Sequence, residues 1–579
     1  MIRLLRFLQP YRLLIVVVLL LALAQTVANL YLPTLMADIV DKGIVRKDIG
    51  YIWQIGGLML LVTVGGTVCA IFGSLYSARV ATGFGKILRA KIFHHVEKFS
   101  LHEFDTLSTA SLITRTTNDT TQVQQVAILV LGMLITAPIT LVVGVILAIA
   151  QDATLSLIFV VIAPVLVGVI ILVLNRSIPL SRLLQVKLDK LNLILDEGLT
   201  GVRVIRAFDR IKHEQKRFDE ANRDLTNVAV SVNRLTALMM PTMMLVLNVS
   251  SVAILWFGAI RVSNNDMQLG ALIAFLQYAM QILFALLMVS MMFIMIPRAA
   301  ASATRINEVL DLEPEITNAA EVKRADELAG YVEFEDVTFS YPGAEEPALC
   351  NISFQARPGE VTAIIGGTGA GKSTLVSLIP RFYDVDSGRV LIDGVDVREM
   401  TQEHLREKIG FVPQKAVLFS GTIDENIRFG KHDASEDEIQ YASEVAQASE
   451  FISGMQDGFS SMIAQGGTNV SGGQKQRLSI ARALVRRPEI YVFDDSFSAL
   501  DYKTDAKLRK ALKKEISNST VLIVAQRVST VMDADQIIVL DEGRITGIGN
   551  HRELMNSSEV YREIVASQLS AQEMAEEIA

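Results

Sequence analysis

Apolar positions run in long unbroken blocks through the first half of the chain, then give way to short alternating segments. Six blocks contain no Asp, Glu, Lys or Arg: residues 13–37, 49–78, 120–151, 153–175, 235–260 and 267–297. A helix rises about 1.5 Å per residue, so each block can cross a hydrocarbon core of about 30 Å, and six transmembrane helices are predicted. The second, third and sixth run to about thirty residues, which predicts tilt or extension beyond the bilayer. After residue 297 no comparable block recurs. From Tyr331 the period shortens: Val332-Glu333-Phe334-Glu335-Asp336-Val337-Thr338-Phe339 alternates as a strand does. Apolar runs at 361–365, 490–493 and 521–524 read as buried parallel strands separated by helix patterns, which predicts an α/β domain.

The connections between blocks are of two kinds. Residues 79–125 and 176–234 are long and charged, yet their apolar residues keep helical spacing. They predict membrane helices that continue into the cytoplasm and return. Leu101-His102-Glu103-Phe104-Asp105-Thr106 supplies one far turn and Glu197-Gly198-Leu199-Thr200-Gly201-Val202-Arg203 the other. These loops, and the segment before the first block, are rich in Lys and Arg. Of the other connections, one holds Lys42, Arg46 and Lys47, one holds no basic residue and one holds Arg261. The bias places both termini and the α/β half in the cytoplasm and makes the chain a multi-pass protein of the cytoplasmic (inner) membrane, in contact with membrane lipids. Residues 1–12, with Arg3, Arg6 and Arg12 among Leu and Phe and a break at Pro10, read as an interfacial elbow helix. The expected organisation is an elbow at 1–12, a six-helix transmembrane domain at 13–310, a linker at 311–330, an α/β domain at 331–566 and an Ala/Glu-rich helical tail at 567–579 with no evident chemistry.

Composition adds limits. A chain of 579 residues exceeds a single core, and 51% hydrophobic residues exclude a wholly soluble protein. The net charge of −8 averages two unlike halves. Cys69 lies in the second block and Cys350 in the α/β half, so no disulfide framework is expected. The first apolar block is too long for a cleavable leader. No nucleic-acid partner is expected.

Chemistry concentrates in the α/β half. Gly366-Gly367-Thr368-Gly369-Ala370-Gly371-Lys372-Ser373 follows the apolar strand Thr362-Ala363-Ile364-Ile365, and Lys372-Ser373-Thr374-Leu375-Val376 begins a helix. That is the context a phosphate-binding loop needs: backbone N–H groups face the phosphates with a helix start behind them. The expected ligand is ATP with Mg²⁺. Lys372 is expected on the β- and γ-phosphates and Ser373 on the metal. Asp494, ending the strand Glu489-Ile490-Tyr491-Val492-Phe493, is suited to hold Mg²⁺ through water, and Gln414 to place a polar side chain near metal and attacking water. Tyr341, 25 residues before the glycine loop, is either an adenine-stacking ring or a locally packed strand tyrosine.

The six-span order, the glycine loop, Gln414, Ser471-Gly472-Gly473-Gln474 and Ser498-Ala499-Leu500-Asp501 together resemble an ABC exporter half-transporter over essentially the whole chain. The resemblance implies an ABC exporter-type membrane domain and a P-loop ATP-binding domain. It also implies a head-to-tail nucleotide dimer, in which each ATP lies between one chain's glycine loop and the other's signature sequence. Ser471, Gly472, Gly473 and Gln474 would then act on the partner's ATP. Residues 101–106 and 198–203 would be coupling helices.

Two positions depart from that family. Asp495, in Phe493-Asp494-Asp495-Ser496, stands where the catalytic base is normally glutamate. One methylene fewer retracts the carboxylate by about 1–1.5 Å, and misplacement of that size can cost about 100-fold. Gln526 stands where a histidine normally contacts the γ-phosphate. Its amide still hydrogen-bonds phosphate but has no cationic form. With the signature intact, the pattern resembles heterodimeric bacterial multidrug exporters: this chain holds ATP in an impaired site and completes a competent one on a homologous partner. A homodimeric exporter remains the alternative.

The cargo is less determined. The spans carry almost no interior charge, so no strongly ionic binding site is expected. Ten of the 20 methionines lie between Met239 and Met295, including Met239, Met240, Met243, Met244, Met288, Met291, Met292 and Met295. Such side chains suit a cavity for hydrophobic or amphipathic compounds, and equally serve as interhelical filler. Phe275, Gln277, Gln281 and Phe284 are candidates for the same cavity. Drug export, lipid or lipid-linked-glycan flipping, and a nucleotide-sensing regulatory subunit are the three competing readings.

Overall fold

The computed structural model describes residues 2–319, 323, 330–515 and 518–568. Residues 320–322 and 324–329 of the expected linker at 311–330, and the tail beyond Gln568, lie outside them. The chain forms two compact units, Met1–Glu97 with Ala110–Leu312, and Lys98–Thr109 with Glu313–Ala579. The segment around Leu101–Leu107 thus groups with the nucleotide unit.

In the first unit, six helices among the described residues are long and apolar enough to cross a membrane. An elbow of α-helix Ile2–Leu5 and 3-10 helix Arg6–Tyr11, with Pro10 inside it, leads directly into Arg12–Asp38. Helix Ile49–Val96 begins where Asp48 accepts the Tyr51 N–H at 3.0 Å. Helix Ile211–Ser263 has 53 residues, about 80 Å at 1.5 Å per residue, and so far exceeds the bilayer. Helices Leu157–Thr200 and Leu269–Asp311 extend likewise.

Polar side chains tie these helices together at several points. Asp152 caps a turn through Leu155 N at 2.8 Å and accepts Arg261 Nε at 2.6 Å. The buried Asp119 accepts Ser302 Oγ at 2.9 Å and Arg305 Nε at 2.8 Å. Pairing is what makes such a buried carboxylate tolerable. Tyr278, fully buried, donates to Leu30 O at 3.0 Å.

Phe275 corrects the cavity expectation. It is fully buried and stacks on Phe159 with ring centroids 5.4 Å apart, because it shares the core-facing side of its helix with Ala274, Tyr278 and Ala279. Met243 is buried too, whereas Met240, Met244, Met280, Phe284 and Met288 are exposed. The side chains of Met291 and Met292 lie outside the described residues.

The second unit holds the strands β1 (Val332–Phe339), β2 (Leu349–Ala356), β3 (Val361–Gly366), β4 (Ser387–Ile392), β5 (Val395–Asp396), β6 (Ile409–Val412), β7 (Gly421–Thr422) and β8 (Met462–Ile463). It continues with β9 (Ile490–Asp494), β10 (Thr520–Val524), β11 (Gln536–Asp541) and β12 (Arg544–Gly549). The main sheet has the order β12-β11-β3-β10-β9-β6, parallel except for β12. Its strands β9 and β10 are buried at every residue, as a sheet covered on both faces requires. A smaller antiparallel sheet, β2-β1-β4-β5, packs beside it, and β7 pairs with β8.

Candidate functional site

Parallel strands align their carboxyl ends, and in such sheets the ligand crevice lies there. Here β3 delivers the glycine loop, while β10, β9 and β6 lie side by side and deliver Gln526, Asp494–Asp495 and Gln414. These residues come from distant parts of the sequence and meet because of strand order alone.

The glycine loop turns into helix Lys372–Leu378 through Gly371 at φ 93°. A Cβ there would lie 2.8 Å from Ala348 O, so both conformation and space call for glycine. The buried Lys372 donates to Gly366 O at 2.9 Å and Gly367 O at 2.6 Å. Burial pulls its ammonium below the ordinary lysine range, with Asp495 and Asp494 opposing. Ser373 Oγ donates to Asp494 Oδ1 at 2.9 Å. Burial pushes the Asp494 carboxyl up and Asp495 adds to this, while the Ser373 bond and Lys372 pull it back.

Asp495 is also buried, with a left-handed backbone at φ 45° that aspartate adopts more readily than most residues. Its Oδ2 accepts two amides, Gln526 Nε2 at 2.8 Å and Gln414 Nε2 at 3.2 Å. Thus Ser373, Gln414 and Gln526, all exposed, ring two buried carboxylates.

This oxygen-rich set fits magnesium, which takes hard oxygen ligands and needs few from protein when it shares a phosphate. Ser373 and Asp494 would hold it, with the Gln414 amide oxygen within the same group. Among the described residues no cluster of three or more His, Cys, Asp or Glu could hold a metal instead.

Tyr341 is exposed beside this site. Its hydroxyl and Thr374 Oγ1 are 2.9 Å apart, and its ring meets Phe339 and Tyr383 edge-on. Burial pushes the Tyr383 hydroxyl up to about 12, with Tyr341 and Asp105 adding to it. Asp105 sits on the short helix Leu101–Leu107.

The signature residues stand elsewhere. Ser471 caps helix Gly472–Leu484 and forms a reciprocal box with Gln474, through Gln474 N to Ser471 Oγ at 3.3 Å and Ser471 N to Gln474 Oε1 at 2.8 Å. Among the described residues no hydrogen bond joins this group to the glycine loop. Gly473 packs close to Ala499, where an added Cβ would lie 3.1 Å from the carbonyl oxygen.

Sequence reasoning missed Gln568, which it placed in a tail without chemistry. Its amide bonds the backbone on both sides of Arg527, beside Gln526. The signal available was only a glutamine at the end of a helix.

Residues 15–308 match the family described as ABC transporter transmembrane region, and residues 349–498 that described as ABC transporter. A Mycobacterium tuberculosis protein named as an uncharacterized ABC transporter ATP-binding protein is 45% identical over 564 residues, 97% of each chain. A Bacillus subtilis ATP-binding/permease protein named for multidrug export is 32% identical, over 98% of this chain and 99% of that one. The ATP-dependent lipid A-core flippase of Syntrophus aciditrophicus is 30% identical, over 96% and 92%. The solved structure of a bacterial Atm1-family ABC exporter with ATP bound superposes with a TM-score of 0.81 at 25% identity, covering 96% of this chain and 98% of that one.

Proposed function

The chain belongs to the ABC transporter family, with membrane and ATP-binding domains fused as in exporters, and from that premise we propose that it supplies the impaired ATP site of a heterodimeric exporter. The observation that carries this reading is the state of Asp495, a short carboxylate whose Oδ2 accepts both Gln526 and Gln414. A glutamate would reach about 1–1.5 Å further toward an attacking water.

In this reading the glycine loop and Lys372 hold the phosphates, and Ser373 and Asp494 hold the metal. Bound magnesium would neutralise charge on the β- and γ-phosphates. Lys372 exchanges its two loop carbonyls for phosphate oxygens, so its buried charge stays paired. Ser471 and Gln474, already ordered as a helix cap, complete the partner's site. ATP closes the nucleotide dimer and opens the cavity outward, and hydrolysis at the partner's glutamate-bearing site resets it.

We further propose hydrophobic or amphipathic, uncharged cargo. Gln277, Gln281, Phe284 and Met288 recur at helical spacing on one side of Leu269–Asp311, turned away from the buried Phe275. Gln281 Nε2 reaches Asn29 O at 3.4 Å. Neutral amides among apolar groups suit ligands with polar but uncharged handles. The name of the flippase relative favours a second reading, in which the cargo is a lipid.

The test is chain-specific trapping of photoreactive nucleotide. D495E combined with Q526H raises trapping of hydrolysed nucleotide on this chain. Unchanged trapping would mean that these two residues do not account for an impaired site.

A further inference from the structure

Helix Glu559–Gln568 closes the described chain and is anchored by Tyr561 and Val565, both fully buried. Gln568 lies seven residues after Tyr561 and three after Val565, which puts it on the same side of the helix. Its Nε2 donates to Gln526 O at 2.8 Å, and its Oε1 accepts the Val528 N–H at 2.8 Å. One side-chain amide therefore spans Arg527 and holds both ends of that loop. Arg527 in turn donates to Ser498 O at 3.2 Å.

The residue type is specific to this task. An amide presents its donor and its acceptor on two separate atoms of one planar group, as two backbone partners two residues apart require, and asparagine is a methylene shorter. Glutamate cannot donate, and methionine matches the length with neither group. The bonds also act in series: Gln568 holds the Gln526 backbone, and the Gln526 side chain holds Asp495.

We infer that Gln568 is a positioning residue: helix Glu559–Gln568 uses it to set the loop that presents Gln526 to the terminal phosphate of ATP. This rests on the reading of Gln526 as the γ-phosphate contact. The consequence is discrimination between ATP, which reaches that contact, and ADP, which does not.

The experiment uses the full-length chain in the membrane assembly it forms. Mg-ATP and Mg-ADP compete with an azido-ATP photolabel on this chain, in the parent, Q568M, Q568E and Q526A, beside thermal unfolding of each. Q568M weakens ATP competition by roughly two- to tenfold, the range for loss of one or two neutral hydrogen bonds, and leaves ADP competition unchanged, with the protein still folded at the assay temperature. Q568E, which faces the Gln526 carbonyl with a second acceptor, loses at least as much. Equal losses for ATP and ADP would reduce Gln568 to a structural role and overturn the inference. So would parent-like ATP competition in Q568M when Q526A shows an ATP-selective loss. If Q526A itself shows none, the phosphate role of Gln526 fails first, and the inference with it.

Discussion

The buried pair Asp494–Asp495 is shared by two sides of the chemistry: the glycine loop, Lys372 and Ser373 on the binding side, and Gln414 and Gln526 on the cleavage side. The first side is complete: Gly371 has the conformation its turn requires, Lys372 is buried over the loop carbonyls, and Ser373 is bonded to Asp494. The second side is built on the same strand framework, and its amides converge on the Asp495 carboxylate. Holding a phosphate depends on backbone geometry and fixed charge. Cleaving it depends on one oxygen within about 1 Å of its place, so two substitutions can separate the functions without disturbing the fold.

The largest effect should come from repairing the second side. D495E with Q526H raises hydrolysis at this chain's own site by roughly 10²-fold or more, the range for a positioned general base. D495E alone gains less, because Gln526 still holds the carboxylate. Chain-specific trapping measures both. Breaking the first side comes next: K372A weakens ATP binding at this chain by roughly ten- to hundredfold, the range for charge-assisted hydrogen bonds to phosphate, read by photolabel competition. If the signature serves a partner's nucleotide as proposed, S471A lowers turnover of the complete transporter by roughly tenfold or more, the range for one hydrogen bond to a charged group, while leaving ATP affinity at this chain's own site intact. A normal rate in that variant would contradict completion in trans.

The smallest effect concerns pH. Burial raises the Asp494 carboxyl, so protons compete with magnesium up to a higher pH than at an ordinary carboxylate. Magnesium-dependent ATP affinity therefore falls on acidification, starting above the usual carboxylate range, and D494N flattens that dependence while weakening metal binding overall. A titration of Mg-ATP affinity against pH measures it.

Much of this was legible along the chain. The spans announce themselves by the absence of charge, and strands β3, β9 and β10 by continuous apolar runs that only a doubly covered sheet uses. The glycine loop needed only its flanking strand and helix. What stayed hidden depends on contacts between distant segments. Gln414 and Asp495 lie 81 residues apart, and Gln526 and Asp495 lie 31 apart, yet they meet because β10, β9 and β6 are adjacent. Phe275 carries no sign of facing the core until neighbouring helices are in place. Gln568 bonds a loop 42 residues away, a relation that no local pattern encodes.

The central claim, that this chain binds ATP competently but relies on a partner to cleave it, is tested most directly by ATPase activity and native mass. The chain purified alone is compared with the chain co-expressed with a homologous half-transporter from its own genome. Little hydrolysis alone, and strong hydrolysis in a 1:1 complex, is the predicted result. Robust hydrolysis by a stable homodimer would contradict it and make Asp495 an adequate base.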